Sequence, residues 1–288
     1  MTKKNVLIGF IGQGWIGKHY ADDFEKRGYE VVRYALEKPY VQNKEKIKDC
    51  DLVFIAVPTP TTPKGFDISI VKKSLNLVGK QKIAIIKSTI LPGTTEKLQK
   101  EFPNIFIMHS PEFLREASAA YDAANPQRNI IGIPIDSVKY RNNAEKVLKV
   151  LPRAPYKKIT KARNAELVKY AGNIFLYWKV IFANILHDLS KELEAEWEEV
   201  KEALSADPRI GESHLNPIHQ SGRGAGGHCF IKDFAAFRKL HNQYFQNNIS
   251  SNVLEALEKK NIDLLLQTEK DLDLLQGVYG EEIMKNRF

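Results

Sequence analysis

The sequence predicts an α/β protein: a doubly wound parallel sheet followed by an all-α domain with a long central helix. Three observations carry this reading. Unbroken apolar runs at 6–11, 52–57, 83–86, 105–108 and 130–133 alternate with polar or helical segments, the pattern of parallel strands buried on both faces. A turn with three glycines, Gly12, Gly14 and Gly17, follows the first run directly and opens a helical segment. From residue 165 to about 204, Leu167, Ala171, Ile174, Phe175, Tyr177, Trp178, Ile181, Phe182 and Ile185 recur at helical spacing. With 288 residues the chain can bury two cores, and the change of pattern places a first domain at 1–160 and a second at 161–288.

Composition is that of a globular chain, 43% hydrophobic and 27% charged. Neither a membrane helix nor a secretory signal is expected from its apolar runs. The formal charge of +8, from 43 basic and 35 acidic side chains, attracts anions. The basic residues are interleaved with acids, as at Lys191-Glu192-Leu193-Glu194, and no aromatic-and-basic motif accompanies them. This argues against nucleic acid; a small anionic ligand or a solvated basic surface accounts for the charge. Cys50 and Cys229 have neither metal nor framework spacing and suit a reducing, cytoplasmic setting.

In the first half, the run at 6–11 feeds Gly12-Gln13-Gly14-Trp15-Ile16-Gly17, a helix reaches Lys26 before Gly28, and 31–36 reads as a second strand. In that context the glycines point to a Rossmann-type dinucleotide fold, with a pyrophosphate on the helix N-terminal N–H groups. The acid that ends the second strand in that signature is replaced by Ala35; Glu37 is the candidate substitute. Arg33 and Lys38 nearby leave NADP open beside the favoured NAD. Ligands in such sheets lie outside the carboxyl ends of the strands, which singles out Thr59, Ser88, Thr89, Glu112 and Glu116. Residues of these types also cap helices.

In the second half, the aromatic content of the long helix exceeds what one face needs, so it is expected to pack against a partner subunit. Lys169 and Asn173, four apart, share a face, which makes Lys169 a candidate catalytic ammonium. Asp207-Pro208-Arg209-Ile210-Gly211 breaks the helix; His214 and His219 beyond it fit no zinc spacing, and no metal is expected. Four glycines between Gly222 and Gly227 then deliver Cys229 to the start of an amphipathic helix over 234–240. The helix start and Lys232 favour the thiolate, an environment for a nucleophile. The tail at 252–277 reads as helix.

These motifs, in this order, resemble the UDP-glucose/GDP-mannose dehydrogenase family, the nucleotide-sugar 6-dehydrogenases. The resemblance covers 6–275 through Gly12–Gly17, Val57-Pro58-Thr59-Pro60, Lys87-Ser88-Thr89, Ser110-Pro111-Glu112-Phe113-Leu114-Arg115-Glu116, Asn125-Pro126-Gln127-Arg128, the segment 165–173, the segment 207–211 and Gly226-Gly227-His228-Cys229-Phe230-Ile231-Lys232-Asp233. It implies a four-electron oxidation of a nucleotide sugar's primary alcohol to a carboxylate, with two NAD reduced in turn. By the same resemblance, a water held by Thr89 and Glu112, or Lys169, is the base, with Asp233 nearby. Cys229 captures the aldehyde as a thiohemiacetal that becomes a thioester, and Lys169 and Asn173 stabilise the oxyanion. The resemblance assigns Gly12, Gly14, Trp15, Ile16, Gly17, Thr59, Pro60, Thr89, Glu116 and Glu37 to the cofactor. It assigns Phe113, Leu114, Arg115, Gly226 and Lys232 to the substrate, and Arg209 to the substrate site of a neighbouring subunit in a homodimer.

The departures are Ala35, a short segment between strands two and three, a longer loop before the glycines, and Ala225, His228 and His214 at positions where the family has other side chains. The family also carries a C-terminal nucleotide-binding domain, and the chain stops where that domain would begin. The resemblance therefore implies a chain lacking it, self-sufficient or completed by a partner chain, with weaker substrate binding and turnover. Two other readings stand beside this one: a two-electron hydroxyacid-type dehydrogenase, and a cofactor-binding protein without turnover.

Overall fold

The computed structural model describes residues 6–246 and 248–285. In chain order these form β1 (Leu7–Ile11), α1 (Trp15–Lys26), β2 (Glu30–Tyr34), a 3-10 segment (Tyr40–Asp49), β3 (Leu52–Ile55), β4 (Thr61–Thr62), β5 (Gly65–Phe66), α2 (Ser69–Leu75) and β6 (Ile83–Ile86). There follow α3 (Thr94–Glu101), β7 (Phe106–His109), a 3-10 turn (Glu116–Ser118), α4 (Ala119–Ala124), β8 (Arg128–Ile133), α5 (Val138–Val150), β9 (Tyr156–Lys161) and α6 (Ala162–Glu192). The chain continues through α7 (Trp197–Ser205), β10 (Ile218–His219), β11 (Gly222–Arg223), α8 (Gly227–Tyr244), α9 (Ile249–Gln267), α10 (Leu272–Tyr279) and a 3-10 segment (Glu281–Lys285).

Two compact units result. One comprises the chain up to Thr59 together with Asp67–Lys169; the other comprises Pro60–Phe66 and the chain from Tyr170 onward. In the first unit a seven-stranded sheet has the order β2-β1-β3-β6-β7-β8-β9. The order reverses between β1 and β3, so the glycine turn after β1 lies at the switch point, where doubly wound sheets bind ligands. Strands β3 and β6 are buried along their whole length, as their unbroken apolar runs require. Phe10, Phe24 and Phe54 centre the core, with Phe10 and Phe54 stacked at 5.0 Å.

The expected all-parallel sheet is corrected at one pair: β8 runs antiparallel to β7, through His109 opposite Gly132, and parallel to β9. The six residues of α4 rise only about 9 Å, so the chain does not return to the opposite edge before entering β8. Strand β9, Tyr-Lys-Lys-Ile-Thr-Lys, has no apolar run to announce it and is half or fully exposed throughout.

In the second unit, Ile174, Tyr177, Val180 and Ile181 of α6 pack on Ala225, Phe234, Leu254 and Leu264. Tyr177 and Phe234 are stacked at 4.0 Å. A second cluster joins Ile231 and Ala235 of α8 to Ile262 and Leu265 of α9 and Leu275 and Val278 of α10. The single helix expected to run to 204 is two. Glu194 takes a left-handed φ of 54°, Ala195 N–H donates to Ser190 O at 2.8 Å, and α7 restarts at Trp197. Trp197, packed with Ala183 and Leu215, gains its burial from this turn.

Candidate active site

At the switch point, Gly12 has φ +91° and a Cβ there would lie 2.2 Å from Ala56 O; at Gly17 it would lie 1.9 Å from Gly12 O. Only glycine closes this turn. Gly14, the N-cap of α1, faces open space, and no side chain caps the helix. An open helix N-terminus of this form fits a pyrophosphate and therefore a dinucleotide such as NAD. The guanidinium of Arg33, on β2, is bound by Glu25 at 2.6 and 2.8 Å and by Asp22 at 2.7 Å. Ala35 is buried, Glu37 is exposed in the loop beyond, and Ile16 packs on the core. Trp15 is 53% exposed, edge-on to His19.

Along the carboxyl edge of the same sheet, Ser88 ties two loops together. Its hydroxyl accepts from Val57 N–H at 2.9 Å and donates to Val57 O at 2.7 Å. Thr59 donates to Thr89 O at 2.8 Å, and both threonines are buried. In the loop after β7, the Glu112 carboxylate accepts from Lys169 Nζ at 2.7 Å and from Leu114 N–H at 2.8 Å. Glu112 and Lys169 are only 5% and 7% exposed, so each charge depends on the other. Phe113 lies beside the pair, with Lys169 Nζ 5.8 Å and the Arg128 guanidinium 3.6 Å from its ring centroid. Arg115 is held by Asp122, whose carboxyl the guanidinium pulls down to about 2; Glu116 is exposed.

Beneath this edge sits Lys87, 2% exposed, whose ammonium donates to Ser110 Oγ at 3.2 Å and lies 4.3 Å from the Tyr20 ring centroid. Burial pushes Lys87 down to about 7, with Glu112 opposing the shift and Lys169 adding to it. Burial, and then Lys87, push the neighbouring His109 down to about 3. The local signal for Lys87 is its place directly after the buried strand β6.

In the second unit, Cys229 is exposed in the first turn of α8, with Gly226 as N-cap. Helix α8 is longer than expected, beginning at Gly227 instead of near 234. Asn173 donates to Asp233 Oδ2 at 2.6 Å, and Lys232 donates to the other oxygen of the same buried carboxylate. Arg209 pairs with Asp207 and is 87% exposed. Pro60 opens the β4–β5 segment. The glycine run, read as a close approach to a ligand, makes its close approach to the chain itself. A Cβ at Gly226 would lie 2.0 Å from Asp271 Oδ2, and one at Gly224 3.0 Å from Asn261 Oδ1. Asn261, Lys270 and Asp271 carried no local signal for this role.

Two family models match this chain: the UDP-glucose/GDP-mannose dehydrogenase NAD binding domain over residues 37–150, and the central domain of the same family over 163–262. The chain belongs to the UDP-glucose/GDP-mannose dehydrogenase family. Its cofactor is NAD, as the match to the family's NAD binding domain indicates. A putative UDP-glucose 6-dehydrogenase of Bacillus subtilis is 32% identical over 213 residues, covering 68% of this chain and 47% of that protein. A UDP-glucose dehydrogenase structure from the archaeon Pyrobaculum islandicum superposes with a TM-score of 0.76 at 28% identity, over 93% of this chain and 72% of that one. The fold is also that of a Mycobacterium tuberculosis 3-hydroxyisobutyrate dehydrogenase, with a TM-score of 0.70 at 15% identity over 95% and 98% of the two chains. The chain spans 30–64% of the length of the curated relatives it matches. Among the described residues, no helix is long and apolar enough to cross a membrane.

Proposed function

We propose that this member of the family is an NAD-dependent nucleotide-sugar 6-dehydrogenase, oxidising the primary alcohol of a UDP-glucose-like sugar to the uronic acid. The observation that carries this reading is the buried Lys169–Glu112 pair, 2.7 Å apart at the carboxyl edge of the sheet, in a chain that also presents an exposed cysteine in a first helical turn. NAD, when bound, supplies the hydride acceptor for each of the two oxidations. Gly12, Gly14, Trp15, Ile16 and Gly17 hold its pyrophosphate side, and Glu37, Thr59, Pro60, Thr89 and Glu116 line the remainder. A water held by Thr89 and Glu112, or Lys169 itself, takes the alcohol proton. The Cys229 sulfur adds to the aldehyde carbon, the carbonyl oxygen takes up a proton, and a thiohemiacetal forms; its oxidation leaves a thioester. Water cleaves the thioester to the carboxylate and returns the thiol. Lys169 and Asn173 meet the developing oxyanion, with Asp233 orienting Asn173. Phe113, Leu114, Arg115, Gly226 and Lys232 contact the sugar nucleotide.

In this reading, residues 1–160 form the NAD-binding domain and 161–288 the domain that carries the thiol and makes a homodimer. Support for the dimer lies on α6, where Phe175, Trp178, Phe182, Ile185 and Leu189 are all 42–66% exposed. Their spacing of 3-4-3-4 is that of a helix–helix seam, and a seam of this kind suits the same helix of a second copy. Arg209, free of the core at 87% exposure, reaches the partner's substrate.

The test supplies UDP-glucose, UDP-N-acetylhexosamines, GDP-mannose or a small hydroxy acid with NAD and follows NADH. Two NADH per sugar, abolished in Cys229→Ser, are expected. One NADH per turnover on a small hydroxy acid, unaffected by Cys229→Ser, replaces the proposal with the two-electron reading. NAD binding without reduction on any of them replaces it with a binding protein.

A further inference from the structure

The loop that carries Cys229 is gripped from one side by the corner between α9 and α10. Ala225 is bonded in both directions by one side chain: its N–H donates to Asn261 Oδ1 at 2.6 Å and its C=O accepts from Asn261 Nδ2 at 3.0 Å. Arg223 N–H donates to Thr268 Oγ1 at 3.0 Å. Lys270 Nζ donates to Gly224 O at 3.0 Å and to Gly222 O at 3.4 Å. Gly227 N–H, the first of α8, donates to Asp271 Oδ2 at 2.7 Å, so a carboxylate 44 residues away caps the helix on which Cys229 sits.

Four side chains thus hold five of the six residues of 222–227, all but Gly226, where a Cβ would lie 2.0 Å from Asp271 Oδ2. Glu269 and Asp271, on either side of Lys270, both take φ near 52°, a conformation that Asp tolerates and that is costly for Glu, so the corner is strained at Glu269. Strain of this kind persists only where the surroundings over-determine it. Lys270 is 2% exposed, and burial lowers its affinity for a proton, with Asp271 opposing. A buried ammonium spent on two backbone carbonyls of one loop is a device for holding that loop. Three of these residues, Thr268, Lys270 and Asp271, lie beyond the part of the chain that matches the family's central domain, which ends at 262.

We propose that Asn261, Thr268, Lys270 and Asp271 form a clamp that positions the Cys229 loop, and that they are positioning residues for the thiol. The clamp rests on the reading above only for its catalytic consequence; its effect on the thiol requires no substrate.

The test therefore compares Asn261→Ala, Asp271→Ala and the acceptor-retaining Asp271→Asn with wild type in the full chain. Backbone hydrogen exchange of 222–229 and alkylation of Cys229 by iodoacetamide, corrected with Cys229→Ser, are the readouts. Leu275→Ala, which removes apolar contacts from the α8–α10 cluster while keeping every side-chain bond of the clamp and its own backbone N–H bond to Asp271 O, is the control for general loosening. In Asn261→Ala and Asp271→Ala, exchange of this segment is expected to rise and the alkylation rate to change by about fivefold or more. Asp271→Asn restores both, and Leu275→Ala lowers the melting temperature without either change. Where Asn261→Ala does not fold, Thr268→Val, which removes one contact, takes its place. Unchanged exchange and alkylation, or equal changes in Leu275→Ala, overturn the clamp. Loss of NADH production with normal thiol behaviour in wild type bears on the proposed function and leaves the clamp standing.

Discussion

Lys87 and the Lys169–Glu112 pair show how single residues carry cost in this fold. An ammonium with one hydroxyl partner and one ring face in a buried site loses most of its hydration, and its proton affinity falls to about 7. In the unfolded chain the same group binds its proton until about 10.4. Below 7 the group is protonated in both states and the burial cost is present in full. Between 7 and about 10.4 the unfolded state holds more protons, so stability rises with pH, by roughly 1.4 kcal/mol per unit from this group. Lys87→Met is therefore expected to exceed wild type most at pH 6 to 7 and to lose that advantage towards pH 10, as read from urea unfolding at each pH. For the pair, removing one partner takes from the other the opposite charge that lies 2.7 Å from it in a buried site. Glu112→Gln and Lys169→Met are each expected to cost about 3–5 kcal/mol, with the double variant costing less than the sum. Unfolding midpoints of the three variants check this.

At the scale of elements, most of the order along the chain is legible locally because each apolar run or helical stripe carries its own period. The failures have local reasons too. Leu193-Glu194-Ala195-Glu196 consists of good helix formers, and nothing in it announces the break between α6 and α7; the burial of Trp197 against Ala183 and Leu215 decides it. Because Glu194 occupies a left-handed position at 54°, Glu194→Gly is expected to stabilise by roughly 0.5–1 kcal/mol. A thermal scan measures it; a fall in melting temperature would mean the side chain does more than tolerate the turn. Strand β9 was invisible because its six residues bury little, and its place comes from backbone pairing with β8 from Arg128 to Ile133.

For the whole molecule, the exposed seam on α6 makes association the main testable property. Phe182→Asp, at the centre of that seam, is expected to yield a monomer by sedimentation while NAD binding, which belongs to the first unit, stays within about twofold of wild type. An unchanged sedimentation coefficient would remove the seam as the dimer face. If dimers form through it, activity that depends on Arg209 of the second copy falls with the same substitution.

The sequence by itself determined the alternation of strands and helices, the glycine turn after β1 and the family to which the chain belongs. Each of these is written in neighbouring residues, through side-chain period, turn chemistry and motif order. Only the tertiary structure decided the direction of β8, the capture of Arg33 by Asp22 and Glu25, the pairing of Glu112 with Lys169 across 57 residues, and the hold of Asn261 on Ala225 across 36. Such pairings leave no local trace, because which distant donor meets which acceptor is settled by the packing of whole elements, summed over many weak contacts.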